Sequence, residues 1–242
     1  MLQIDKLSFS FDTAKKDKKH SDLKMEFTLE VSMGEILSVI GPSGSGKTTL
    51  LNLVAGFIKP TSGKVLVHDS DISQLEISQR PVTTVFQENN LFPHLDVFTN
   101  VALGIQPSLK LNESEKQQIH QSLENVGLAN LTKRLPNELS GGQRQRVALA
   151  RALVRKHSIL LLDEPLAALG PAMREEIIDL LKELVEAEKM CALLISHQPE
   201  DALKASTRTA FINEGKVLVI DESDKLLRHS DIPEIRRYLG ES

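Results

Sequence analysis

Eight consecutive residues, Gly41-Pro42-Ser43-Gly44-Ser45-Gly46-Lys47-Thr48, satisfy the spacing G-x-x-x-x-G-K-[ST] at every fixed position. Glycines let successive backbone N–H groups turn toward phosphate oxygens with no Cβ in the way. An apolar run precedes the eight and a helical stretch starting at Thr49 follows, so a helix N-terminus faces the same anion. In such a loop Lys47 reaches the β- and γ-phosphates of a nucleoside triphosphate, and the Thr48 hydroxyl ligates Mg2+. Residues Gly41 through Thr49 are therefore the candidate nucleotide-binding set. A glycine-rich turn that matches by chance is the competing reading, and the flanking strand and helix weigh against it.

Two acids, Asp163 and Glu164, close the apolar run Ile159-Leu160-Leu161-Leu162. Beside a phosphate loop, Asp163 is suited to hold Mg2+ directly or through water. Glu164 is suited to orient and deprotonate an attacking water, a role typically worth about 10²–10⁴-fold. Acids also mark strand ends simply because they are well solvated there, and the phosphate loop is what favours the chemical reading.

Three elements must position these groups. Residues 36–40, 159–162 and 192–195 are apolar on consecutive positions, the pattern of parallel strands buried on both faces. Their carboxyl ends carry Gly41, Asp163-Glu164 and Ser196-His197, and ligands of open α/β sheets bind beyond such ends. Residues 173–185 supply a crossover helix, with Ile177, Ile178, Leu181, Leu184 and Val185 on one face. Residues 2–11, 24–31, 209–212 and 216–220 read as antiparallel strands, the last two joined by a Glu214-Gly215 turn. Residues 88–156 read as mostly helical, with Asn112 and Glu115 as N-cap and partner, Ile119, Leu123 and Val126 as one face, and Gly127 as a stop. The expected architecture is thus an α/β core with an antiparallel β flank and an inserted helical subdomain.

Leu139-Ser140-Gly141-Gly142-Gln143 precedes the helix-forming run Arg144 to Ala152. Ser140 is a candidate N-cap, and the glycines leave first-turn N–H groups free for an anion. On its own a Ser-Gly-Gly stretch is most often a turn before a helix. Taken with the other motifs, the sequence resembles the ABC ATPase family, in which Leu-Ser-Gly-Gly-Gln is the signature. The resemblance implies a RecA-like P-loop NTPase core using ATP and Mg2+. It makes Gln87, after Val85-Phe86, the glutamine that contacts Mg2+ or water. His197, which alone would pass for a structural histidine, becomes the switch residue touching the γ-phosphate. Phe11 matches the aromatic residue that stacks on adenine, and equally reads as a core phenylalanine. Catalytic duty accordingly falls to Glu164, His197 and Gln87, and metal binding to Thr48, Gln87 and Asp163. Ser140, Gly141, Gly142 and Gln143 would close on ATP held by another copy, in a head-to-tail homodimer. One nucleotide-binding domain would fill residues 1–242, its core about 1–87 and 157–242 and its helical lobe about 88–156.

The family pattern breaks after the carboxylates. Where Ser-Ala-Leu-Asp is usual, this chain reads Ala167-Ala168-Leu169-Gly170, so weaker coupling between the two sites, or slower hydrolysis, is expected. Residues 86–97, 103–112 and 135–155 are similar to the ATP-binding subunits of bacterial thiamine importers, whereas residues 13–22 form a longer, lysine-rich loop that reads as a solvated connector. That likeness implies permease subunits docking through a coupling helix near residues 88–97, and indirectly a periplasmic substrate-binding protein. Iron, sulfate or polyamine importers are the alternative, and a soluble non-transport ABC ATPase is a further one.

Composition bounds these readings. With 40% apolar and 26% charged residues the chain is an ordinary globular one. A net charge of −4 argues against a nucleic-acid partner, and the single cysteine, Cys191, against a disulfide or a Cys-x-x-Cys metal site. No run approaches the roughly 20 apolar residues of a membrane span, and residues 1–11 lack the basic and apolar regions of a secretory signal. The expectation is a peripheral protein on the cytoplasmic face of the inner membrane.

Overall fold

The structure, a computed structural model, describes residues 1–10 and 24–240. Phe11 and the lysine-rich loop lie outside the described residues.

In chain order the strands and helices begin with β1 (Leu2–Ser10), β2 (Lys24–Val31), β3 (Glu35–Ile40), α1 (Lys47–Ala55), β4 (Ser62–Val67), β5 (Ser70–Asp71) and β6 (Val82–Val85). A helical stretch follows with α2 (Val97–Ala102), α3 (Glu113–Asn125) and α4 (Gly141–Leu153). The chain then runs through β7 (Ile159–Asp163), α5 (Pro171–Ala187), β8 (Cys191–Ile195), α6 (Pro199–Ala205), β9 (Arg208–Asn213) and β10 (Lys216–Glu222), ending in α7 (Ser223–Arg228) and α8 (Pro233–Leu239).

All ten strands form one sheet in the order β5-β4-β1-β2-β10-β9-β3-β8-β7-β6. The half from β9 to β6 is parallel, and β5-β4-β1-β2 is antiparallel. Consecutive apolar residues in the parallel half face opposite cores, as a period of two requires. Leu160, Leu162, Ala192 and Leu194 pack with α2 to α5. Ile159, Leu161, Cys191, Leu193 and Ile195 pack with α1 and the antiparallel strands. A smaller core joins Ile40 and Phe211, at the ends of β3 and β9, to Ala202, Leu226, Leu227 and Ile235.

Local chemistry sets several boundaries. Asn112 and Glu115 form the reciprocal capping box at the start of α3, and Ile119, Leu123 and Val126 are fully buried. The Glu214-Gly215 turn has positive φ at both residues, 47° and 77°, which suits a tight hairpin. Sequence patterning misses β4, β5, β6 and α6 to α8. Each is short, and β6 reads Val-Thr-Thr-Val, too brief to show a period. Among the described residues no helix is long and apolar enough to cross a membrane.

Candidate active site

The phosphate loop leaves β3 at Gly41, where φ is 146°. A Cβ there would run into the carbonyl oxygen of Ile212 on the adjacent β9, so glycine is required by both conformation and space. Gly46, with φ 106°, is the N-cap of α1. α1 has neither a side-chain cap nor an acid in its first turn, which leaves its N–H groups and positive end directed at the loop. The loop is tied to the β9–β10 turn by the Gly215 amide, which donates to the Ser45 carbonyl at 2.9 Å. Lys47 is 5% exposed, and its Nζ donates to the carbonyls of Gly41 and Pro42, both at 2.8 Å. Burial lowers its pKa, opposed by the charges of Glu164 and Asp163. An ammonium has three donors, so one remains for an anion.

Strand register brings the other expected groups to the same edge. Val39 pairs with Ile195, Ile195 with Asp163, and Leu162 with Val85. Gln87 therefore sits just past the end of β6, level with Glu164, and its side chain is exposed. Asp163 accepts a hydrogen bond from Thr48. Its pKa is raised, first by burial and then by Glu164. Glu164 leaves β7 with φ 50°, a left-handed conformation costing a non-glycine residue roughly 1–2 kcal/mol. Two contacts offset that cost: its amide donates to the Ile195 carbonyl at 3.2 Å, and its Oε1 lies 2.6 Å from Nε2 of His197.

The turn bearing His197 is braced from within. Ser196 Oγ donates to Asp201 Oδ2 at 2.8 Å and accepts from the Gln198 amide at 3.0 Å. Arg174 Nη1 lies 3.5 Å from Asp201 Oδ1 and also donates to the Gln198 side chain. Its Nη2 donates to the Leu169 carbonyl at 3.2 Å. One guanidinium thus holds both the His197 turn and the loop containing Ala167 to Gly170. Sequence reasoning missed Arg174 and Asp201 because each reads as an ordinary charge on a helix and their pairing is long-range. Gly170 itself has φ −70° and ψ 164°, and no atom lies within 4 Å of a Cβ built there. Steric demand does not explain this glycine.

Ser140 caps α4 in a capping box with Gln143: the Gln143 amide donates to Ser140 Oγ at 3.2 Å, and the Ser140 amide to Gln143 Oε1 at 2.9 Å. Gly142 departs from the expectation of an open first turn. It is buried, and a Cβ there would meet the side chain of Met173 on α5. Gly141 is half-buried, with Leu169 beside it. The signature's own-chain neighbours are thus the start of α5 and the loop before it, whereas Lys47, Thr48, Asp163, Glu164 and His197 come together at the strand ends.

A phosphate loop on a parallel sheet, paired acids on the neighbouring strand and a capped Ser-Gly-Gly helix define an ATP-binding cassette. The family model described as ABC transporter matches residues 25–167. The chain belongs to the ABC transporter family, as its ATP-hydrolysing subunit. Among its relatives, the thiamine import ATP-binding protein ThiQ of Photobacterium profundum is 44% identical over 99% of this chain and 100% of its own length. ThiQ of Chelativorans sp. is 44% identical, covering 100% of this chain and 95% of its own. ThiQ of Escherichia coli is 49% identical over 85% and 88%. The dimeric ATP-binding cassette MJ0796 bound to ADP and Pi superposes with a TM-score of 0.76 at 29% identity, over 92% of this chain and 99% of that one.

Proposed function

We propose that this chain energises thiamine import, hydrolysing ATP as a head-to-tail homodimer beneath a pair of membrane permease subunits. The observation that carries the hydrolytic half is the convergence of Lys47, the Thr48–Asp163 pair and the Glu164–His197 pair at adjacent strand ends. ThiQ relatives matching nearly end to end support thiamine as the cargo.

In this reading the phosphate loop of residues 41–49, through its free backbone N–H groups, and Lys47 bind the triphosphate, and Glu164 takes the proton of the attacking water. His197 steadies that carboxylate and contacts the γ-phosphate, and Gln87 orients water. Thr48 and Asp163 offer oxygen donors of the kind Mg2+ prefers. Among the described residues no group of three or more His, Cys, Asp or Glu side chains is placed to hold a metal ion by itself, so Gln87, phosphate oxygens and water would supply the ion's remaining ligands. When bound, Mg2+ neutralises charge on the β- and γ-phosphates. Ser140 to Gln143 then complete the site of the opposite copy. Phe11 retains the adenine-stacking role as part of the proposal. The core about 1–87 and 157–242 and the lobe about 88–156 act as one nucleotide-binding domain.

A cavity of about 550 Å3 opens between core and helical lobe. Phe57, Ile77, Phe86, Leu103, Arg151 and Arg155 are among the residues lining it, and Phe57 and Ile77 are about half exposed. Apolar side chains left in solvent beside an open groove suit a short helix from a partner. This is where we place the permease coupling helix, next to the 88–97 segment. The assembly then sits at the cytoplasmic face of the inner membrane and receives cargo from a periplasmic binding protein. Copurification with the permease, followed by ATPase assays with loaded binding proteins, tests the reading. Thiamine-loaded binding protein should stimulate hydrolysis. Stimulation by an iron-, sulfate- or polyamine-loaded one instead would overturn the cargo.

A further inference from the structure

The C-terminal helix reaches the active site through the chain's one tyrosine. The Tyr238 hydroxyl on α8 donates to the backbone carbonyl of His197 at 3.2 Å. Its ring packs edge-on against Phe211, centroids 5.5 Å apart, at the end of the strand neighbouring β3. Pro42, in the phosphate loop, shares a small cavity with Tyr238 and Arg237. The core beneath is shared as well: Ile235 of α8 is fully buried with Ile40, the residue before Gly41, and with Ala202 of the helix that follows His197.

We infer that Tyr238 is a positioning residue for ATP hydrolysis, its hydroxyl holding the His197 turn against the entrance of the phosphate loop. The inference rests on the hydrolytic reading of Glu164 and His197. His197 approaches Glu164 through Nε2, so the height of its backbone sets where that imidazole meets the carboxylate. Ser196 is fixed from the interior by Asp201, and Gln198 by the Ser196 hydroxyl and Arg174. The carbonyl of His197 is held from the solvent side by Tyr238. Burial, first, raises the pKa of the phenol, Glu200 adds to the rise, and a backbone hydrogen bond with Gly41 opposes it. The phenol therefore stays protonated and able to donate, while Gly41 engages the same oxygen. A merely structural tyrosine needs only its ring. A positioning one needs the hydroxyl.

Tyr238→Phe separates the two roles, because the ring and its contact with Phe211 remain. Using the full-length chain, steady-state hydrolysis should show kcat lower by about threefold to tenfold, the worth of one lost hydrogen bond, with KM for ATP unchanged. In protein labelled with 15N-histidine, the His197 ring signals, assigned by their loss in His197→Ala, should shift in Tyr238→Phe while the other histidines keep theirs. The thermal midpoint should fall by no more than about 2–4 °C, as one lost hydrogen bond allows. An unchanged kcat with unmoved His197 signals overturns the assignment, as does a loss of activity accompanied by a larger drop in midpoint. Wild-type chain without ATPase activity would instead sink the hydrolytic reading itself.

Discussion

Glu164 leaves its strand in a left-handed conformation with its carboxylate against His197, and its predicted behaviour follows from that placement. Glu164→Gln keeps the shape and removes the base, so hydrolysis should fall by about 10²–10⁴-fold while ATP still binds, measured by phosphate release alongside nucleotide titration. Gly170 permits a second test. Restoring Asp there meets no steric obstacle and should raise the ATPase rate. It also supplies α5 with the side-chain cap it lacks, adding a few tenths of a kcal/mol of stability. Gly170→Asn supplies the same cap without the charge, so a rate gain in Asp alone, at equal melting temperature, isolates the carboxylate's effect. The motif residues were legible in the sequence because their meaning lies in local spacing. Tyr238, Arg174 and Asp201 were not, because the pairings of Tyr238 with His197 and of Arg174 with Asp201 join residues far apart along the chain.

Helix α1 depends on a remote side chain for its C-terminal end. Arg80 is 3% exposed, and its Nη1 donates to the carbonyls of Leu53 and Val54 at 2.9 and 2.8 Å, closing the last turn of α1. Its other nitrogens reach the carbonyls of Leu75 and Ser73. Arg80→Ala strips four carbonyls, three of them in buried contacts, of this donor and should cost roughly 2–4 kcal/mol in denaturant unfolding. The junction of β6 and β7 carries a pH dependence. His157 Nδ1 lies 3.0 Å from both Thr83 Oγ1 and the Val82 carbonyl. Burial, first, lowers its pKa, Arg155 adds to this, and the Val82 bond opposes it. The folded chain thus resists a proton that the unfolded chain accepts, and stability should fall as pH drops from about 6.5 toward the depressed value. His157→Asn should flatten that slope in unfolding curves recorded between pH 8 and 5.5. The long periodic helices and the apolar strands could be read from pattern. The short flank strands and the C-terminal helices could not, since their place is set by packing on a sheet already formed.

The ten-stranded sheet carries two unlike faces, one covered by α2 to α5 and the other by α1 and the antiparallel strands. The nucleotide groups gather at one edge of the parallel half, while Gly142 packs against Met173 of α5 and Gly141 lies beside Leu169 in the loop before it. If a second copy completes the site, Glu164→Gln with ATP should elute as a dimer in size exclusion and revert to monomer when nucleotide is removed. A monomer under both conditions would defeat the homodimer. The inserted stretch was legible as mostly helical, but its groove was not, because its walls come from residues 55–86 as well as from α4. The same helix has a mechanical consequence. Arg151, which lines the groove, grips the carbonyls of Asn89 and Asn90 at 2.8 Å, and Ser140 caps the opposite end. With 13 residues at 1.5 Å each, α4 is a rod about 20 Å long. A partner segment seated in the groove, as proposed above, would therefore push on one end of a lever whose other end presents the signature.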